Sequence, residues 1–204
     1  MVVMGRLVDG VAARVKQLYP DDARRAGIVV AAVEAIESAN PAAGLAWIAE
    51  RAGIQRPHLY RHFASKEQLD AEVVRIAALD LRDRLQPHLS GDGSPEETVR
   101  AAVGAAADWA TENPQLYRFI AAPPSREVAR GRERFVSDVR VALQEYGAAH
   151  GLELDVSEAV IAGVVGLIES SLIWWLDHRA EPREAVVDRL ARQVTALFID
   201  VAGA

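Results

Sequence analysis

The sequence predicts an all-α protein, and three observations carry that expectation. Apolar residues recur at helical spacing in nearly every segment, and no run alternates as a half-buried strand would. Helix starts and stops are marked repeatedly by Ser, Asp, Pro and Gly. Half of the 204 residues are apolar, enough to bury a core in one or two domains.

The elements follow in order. Val8, Val11, Val15 and Leu18 form an apolar stripe opposite Arg6, Arg14 and Lys16, so an amphipathic helix is expected over 6–18. The next spans 22–38 and stops at Asn40-Pro41, a pair suited to cap the following helix, 42–52. Gly53 provides the reversal, since a residue without a Cβ takes a positive φ at little cost. A short helix over 56–63 follows, with Pro57 in its first turn, where a missing N–H costs nothing. Ser65 with Gln68 reads as a capping box opening 66–86, and Ser94-Pro95-Glu96-Glu97 as another opening 95–111. Asn113-Pro114 and Pro123-Pro124 bracket 114–121, and a long helix runs 126–149. Asp155 with Glu158 starts 156–177, and Glu181-Pro182 starts the last helix, 183–201. The loop from Pro87 to Ser94, with Gly91 and Gly93, is the natural break between an N-terminal and a C-terminal part, and the long helix before it a stiff connector.

Composition narrows the function. With no cysteine there is neither a disulfide frame nor a thiolate site. No secretory pattern opens the chain, so a cytoplasmic location is expected. Ala159 to Leu176 approaches the length of a membrane span, about 20 residues, but Glu169, Ser170 and Ser171 interrupt it, and it reads as a core helix with no membrane partner. The net charge of −6 hides an asymmetry, +1 over residues 1–86 against −7 over 87–204. Locally, Arg51, Arg56, Arg61 and Lys66 make the stretch after Glu50 basic, and the local field decides what such a surface attracts.

That basic stretch contains the most specific pattern in the chain, Gly53-Ile54-Gln55-Arg56-Pro57-His58-Leu59-Tyr60-Arg61-His62-Phe63. Helix, glycine turn and a short helix rich in Arg, His and Tyr is the layout of a helix-turn-helix that reads DNA. Leu59 and Phe63 share one face and pack inward, leaving Arg56, His58, Arg61 and His62 to point elsewhere.

Ile48-Ala49, Gly53-Ile54, Leu59-Tyr60-Arg61-His62-Phe63 and Ser65-Lys66-Glu67-Gln68-Leu69, in that order and spacing, resemble the TetR family of bacterial transcriptional repressors, most strongly from Arg24 to Leu69. The resemblance implies an all-α homodimer: an N-terminal extension helix (1–20), a helix-turn-helix DNA-binding domain (21–70) and a C-terminal ligand-sensing and dimerising domain (71–204). It further implies that Arg56, Pro57 and His58 reach bases, with Gln55 at the cap position, and that Tyr60, Arg61 and His62 touch the groove or phosphates. Lys66 matches a phosphate clamp at a helix N-terminus, and Arg24 and Arg25 match residues on the DNA backbone. The chain departs from the family in carrying Gln55 where Ser or Thr often caps the reading helix, and Ala43-Gly44-Leu45-Ala46 where hydroxyl or basic residues usually begin helix two.

Other residues carry two readings each. Arg56 and Arg61 outside this motif would be ordinary surface arginines; within it, Arg pairing with guanine is the commonest specific major-groove contact. His58 and His62 have the i, i+4 spacing of zinc ligands, but neither a third ligand nor a His-Glu-x-x-His acid accompanies them, so no metal and no cofactor is expected. Trp109, Tyr117, Phe119, Phe135, Tyr146, Trp174 and Trp175 are core filling or the lining of a pocket for a small apolar effector, with Trp109, Tyr117, Phe119, Phe135 and Trp174 the expected lining. Glu169 is either that pocket's polar anchor or a carboxylate facing solvent or a dimer partner. Ala159, Gly163, Gly166 and Ser170 form a small-residue stripe, and the last helix offers Val186, Leu190, Val194, Leu197 and Val201; together these suit a helical homodimer interface. The function expected is a ligand-responsive repressor that binds a palindromic DNA operator. Its rival is a helical small-molecule or protein-binding module that keeps the helix-turn-helix shape without specific DNA binding. An enzyme fares worst, because no nucleophile triad, phosphate loop or paired carboxylate motif is present.

Overall fold

The computed structural model describes residues 9–39, 44–89, 93–122, 125–151 and 156–201. These residues form helices α1 (Asp9–Leu18), α2 (Ala23–Glu37), α3 (Leu45–Arg51), α4 (Arg56–His62), α5 (Lys66–Leu89), α6 (Pro95–Glu112), α7 (Pro114–Ala121), α8 (Arg126–Ala149), α9 (Glu158–His178) and α10 (Arg183–Val201), with no strand among them. The all-α fold read from the sequence is the fold observed.

Two compact units interleave along the chain. One comprises Met1–Asp80 and Glu112–Arg132, the other Leu81–Thr111 and Glu133–Ala204. A division at residues 70 and 71 therefore falls inside α5, and the 112–132 stretch belongs with the N-terminal unit.

In the first unit α2 is the central helix. Ile28, Val29, Ala31, Ala32 and Val33 are all buried, and α1, α3 and α7 pack around it. Asp22 caps its start, accepting from the Arg25 N–H at 2.9 Å. Val11 and Val15 of α1 are fully buried, so the N-terminal amphipathic helix is part of this unit, although Arg6 and Val8 lie outside the described residues. At the other end of α2, the Glu37 carboxylate accepts from the Leu116 N–H at 2.7 Å and ties down the first turn of α7.

In the second unit, Val136 of α8 packs with Val156, Ile161 and Val165, and Phe135, Val139, Leu143 and Phe198 surround that cluster. Arg183 of α10 grips Asp108 of α6 through both carboxylate oxygens at 2.6 and 2.7 Å, a fork geometry only arginine offers. Arg100 and Asp188 make a second α6–α10 pair. The turn between α9 and α10 is closed by Trp175 Nε1 donating to the Glu181 carbonyl at 3.0 Å. α9 is long and apolar enough to cross a membrane by length and composition. Ile161, Val164, Val165, Leu172, Trp175 and Leu176 are instead buried in this unit.

Boundaries deviate from expectation in three places. α5 continues through Pro87 to Leu89, because a proline in the last turn forfeits a single helix hydrogen bond. The start of α9 is Glu158, capped by Ser157 accepting from the Val160 N–H; the expected cap Asp155 lies outside the described residues. α3 starts at Leu45 after Gly44, and the Asn40-Pro41 signal lies outside the described residues, as does Pro123-Pro124.

Candidate nucleic-acid interface

The reading head is built by a turn and two buried anchors. After α3 the chain reverses through Gly53 at φ +67°. The Ile54 N–H donates to the Ala49 carbonyl and the Gly53 N–H to the Glu50 carbonyl, both at 3.0 Å, the paired bonds of a Schellman stop. α4 follows at once. It has no side-chain cap, Gln55 being extended but making no capping bond, and Pro57 sits in its first turn. Seven residues cannot hold a helix alone. Leu59 and Phe63, both wholly buried, hold it to the unit, each worth about 1.5–3 kcal/mol of apolar transfer.

The opposite face is open. Gln55, Arg56, Pro57, His58, Tyr60 and Arg61 are all exposed, with Tyr60 at 43% the most exposed large apolar side chain of the head. The Arg56 guanidinium leans on the Tyr60 ring, 5.9 Å from its centroid, with Nη2 3.5 Å from the hydroxyl. A row with guanidinium forks, an imidazole and a phenol on a two-turn helix matches the donor and stacking chemistry of base edges and phosphates.

The remaining expected DNA contacts are placed differently. Arg24 is exposed at the start of α2. Arg25 is half-buried and turned inward, donating to the His62 carbonyl at 3.2 Å. His62 is also half-buried, its Nδ1 3.6 Å from Asp22 Oδ2. Lys66 pairs with Asp70 one turn along α5. Burial pushes the Asp70 carboxyl up from its ordinary range, and the Lys66 ammonium opposes that shift. Ser65 accepts from the Gln68 N–H at 3.2 Å, while Gln68 Oε1 reaches the Ala64 N–H, one residue before the box expected. Among the described residues no group of three His, Cys, Asp or Glu is placed to hold a metal.

The aromatic residues expected to line an effector pocket divide between the two units. Tyr117 and Phe119 belong to the first unit, Tyr117 buried in its core. In the second unit Trp109 is wholly buried, Glu169 is half-buried with partners of its own, and Trp174 is 66% exposed on α9. Of the aromatic residues weighed for a pocket, Phe135 and Tyr146 line a groove in the second unit. This groove of about 800 Å³ runs between the end of α5 and α8. Leu85, Leu89, Phe135, Val139, Ala142 and Tyr146 supply its apolar walls, and Arg82, Asp138, Glu145 and His150 its polar ones. Arg82 stands 3.8 Å from Asp138 across it. Tyr146 donates to the Gly93 carbonyl at 3.0 Å and stacks on His150. The rest of the lining was not visible in the sequence because it mixes polar and apolar residues on amphipathic faces, the pattern of any surface helix.

The small-residue stripe of α9 is open: Ala159, Gly163 and Ser170 are exposed and Gly166 half-buried. On α10 the expected interface residues Leu190 and Val194 are buried within their own subunit and are core residues, whereas Leu197 is 44% exposed. The first part of the stripe, Val186, Leu190 and Val194, packs the unit's own core.

Residues 23–73 match the family described as bacterial regulatory proteins, tetR family, and residues 99–194 match a tetracyclin repressor-like C-terminal domain. The HTH-type transcriptional activator FasR of Mycolicibacterium smegmatis is 28% identical over 174 residues, spanning 78% of this chain and 75% of that protein. The nucleoid occlusion factor SlmA of Vibrio vulnificus is 27% identical over 174 residues, 79% of this chain and 89% of that one. The fold is shared with a tetR-family transcriptional regulator from Streptomyces coelicolor (TM-score 0.69, 24% identity, 88% of this chain and 82% of the other). It is shared too with FadR from Bacillus subtilis in complex with stearoyl-CoA (TM-score 0.67, 14% identity, 83% and 97%).

Proposed function

The chain belongs to the TetR family of bacterial regulatory proteins and is a DNA-binding transcriptional regulator, and we propose that it acts as a dimeric, cytoplasmic repressor released from its operator by an apolar small molecule. The exposed row Gln55, Arg56, Pro57, His58, Tyr60 and Arg61 on a helix anchored by Leu59 and Phe63 is the observation that carries this reading. Two such heads on a two-fold axis read successive major grooves about 34–36 Å apart.

The effector seats in the groove between α5 and α8. Its apolar walls suit an aliphatic body, and the stearoyl-CoA held by the FadR relative makes long-chain acyl thioesters the first molecules to try. α5 contributes residues up to Asp80 to the first unit and from Leu81 to the second, so one helix belongs to both the head and the groove. Ligand and DNA then oppose each other, each weakening the other by the same factor.

The test is binding to DNA from the gene's own upstream region, titrated with salt and then with acyl-CoAs of graded length. Wild type binds with sequence preference and a steep salt slope; an Arg56→Ala, Tyr60→Ala double variant loses the preference. Binding that ignores both sequence and variant would leave the helix-turn-helix as a scaffold for a ligand- or protein-binding module. A reporter gene fixes the sign of regulation, because the FasR relative is named an activator; expression that falls when the regulator is deleted would replace repression with activation.

A further inference from the structure

Arg25 is the basic residue of the head whose geometry the DNA-contact reading does not explain. Its guanidinium lies over the Phe63 ring, 4.4 Å from the centroid, and over the Tyr19 ring at 5.3 Å. The same group donates from Nη1 to the carbonyl of His62, the last residue of α4, at 3.2 Å. That carbonyl is among those a helix end leaves without a partner, and it carries the negative end of the helix dipole. Asp22 completes the arrangement. One carboxylate oxygen accepts from the Arg25 backbone N–H at 2.9 Å, and the other stands 3.6 Å from the His62 ring.

We infer that Arg25 is a positioning residue, a strut that fixes the end of the reading helix against Tyr19 and the start of α2. The inference rests on α4 being the helix that reads DNA. α4 has seven residues and no side-chain cap at its start, so the Gly53 turn, Leu59, Phe63 and this strut set the angle at which its open face meets a groove. Tyr19 directly follows α1, whose Val11 and Val15 are buried in the same unit. The N-terminal helix is thereby part of the reading head's support. Arginine suits the place: a planar guanidinium stacks on rings while its fork donates in its own plane to a carbonyl, and a compact ammonium offers no plane to stack.

A strut and a phosphate contact give opposite results for Arg25→Lys. A phosphate contact keeps most of its strength with lysine, and its loss in Arg25→Met lowers the salt slope by about one. A strut fails with either substitution and leaves the slope unchanged. The experiment measures the affinity of full-length wild type, Arg25→Lys, Arg25→Met and Tyr19→Leu for upstream and scrambled DNA across salt, together with native-state amide exchange. Expected is a loss of about tenfold or more in the preference for upstream DNA in all three variants, an unchanged salt slope, and faster exchange confined to Leu59–Phe63. Wild-type-like binding and exchange in Arg25→Lys overturns the strut. Faster exchange at α4 beside a wild type that shows no sequence preference overturns the premise instead, so the two failures are distinct.

Discussion

At the scale of single residues, Glu37 shows how a half-buried carboxyl trades one stabilising term against another. Burial raises its pKa above the ordinary range, and hydrogen bonds from the Leu116 and Gln115 N–H groups and the nearby Arg118 only partly offset that. A carboxyl whose folded pKa is raised binds more protons folded than unfolded. Its contribution is then full below the unfolded value and is lost as pH rises through the folded one. Glu37→Gln keeps an oxygen for the Leu116 N–H and removes the titration. The expected outcome is that thermal melts of the variant relative to wild type improve as pH rises from 4 to 7; a difference that is flat in pH would mean Glu37 does not titrate in this window. Arg25 makes a related point about what a sequence shows. Its type and position mark it as a basic residue near DNA, yet which way the side chain turns depends on Tyr19 and Phe63, residues 6 and 38 positions away. No local pattern encodes that.

Among the elements, the helix-turn-helix was legible because each part has a local cause. Gly53 occupies the one position of the turn where φ is positive, at +67°, and a Cβ built there meets nothing within 4 Å. Gly53→Ala therefore has no steric clash to relieve and costs only the left-handed strain, about 1–2 kcal/mol. Chemical denaturation should show a loss of that size, with Gly53→Asn recovering part of it; an unchanged midpoint would mean the turn adjusts its backbone. Caps were legible for the same reason: Ser94 and Glu97 make the full reciprocal box, at 3.3 and 2.9 Å. What was not legible were choices made by competition. Pro87 ends a helix by rule, but Leu89 still extends α5 because the loss of one bond near an end is small. The start of α9 is Glu158, and Ser157, two residues after the expected cap Asp155, is the residue beside its first turn.

For the whole molecule, the sequence conveys which helices are amphipathic but not which faces meet. The expected interface residues Leu190 and Val194 are core, and the expected pocket residue Trp174 is 66% exposed. Both follow from the same limit, since an apolar stripe does not say whether its partner is the same subunit or another. The open faces are now identifiable. On α9 they are Ala159, Gly163, Ser170 and Trp174, the last stacked on His178 with ring centroids 3.8 Å apart; on α10 Leu197 is open. Small residues beside an exposed tryptophan fit a close helix pairing across a two-fold axis, the dimer proposed above. Gly163→Arg tests it with little harm to the subunit. A Cβ at Gly163 meets nothing within 4 Å, and replacing glycine inside a helix favours the helix by up to about 1 kcal/mol. The subunit should therefore melt as before or slightly higher, while the arginine blocks the close approach of a second α9. Light scattering would then report a monomer, and affinity for a two-half-site operator would fall while binding to a single half-site would not. A variant that remains a dimer would place the interface on another face, and a variant that loses both assembly and cooperative melting would show that the subunit needs its partner to fold.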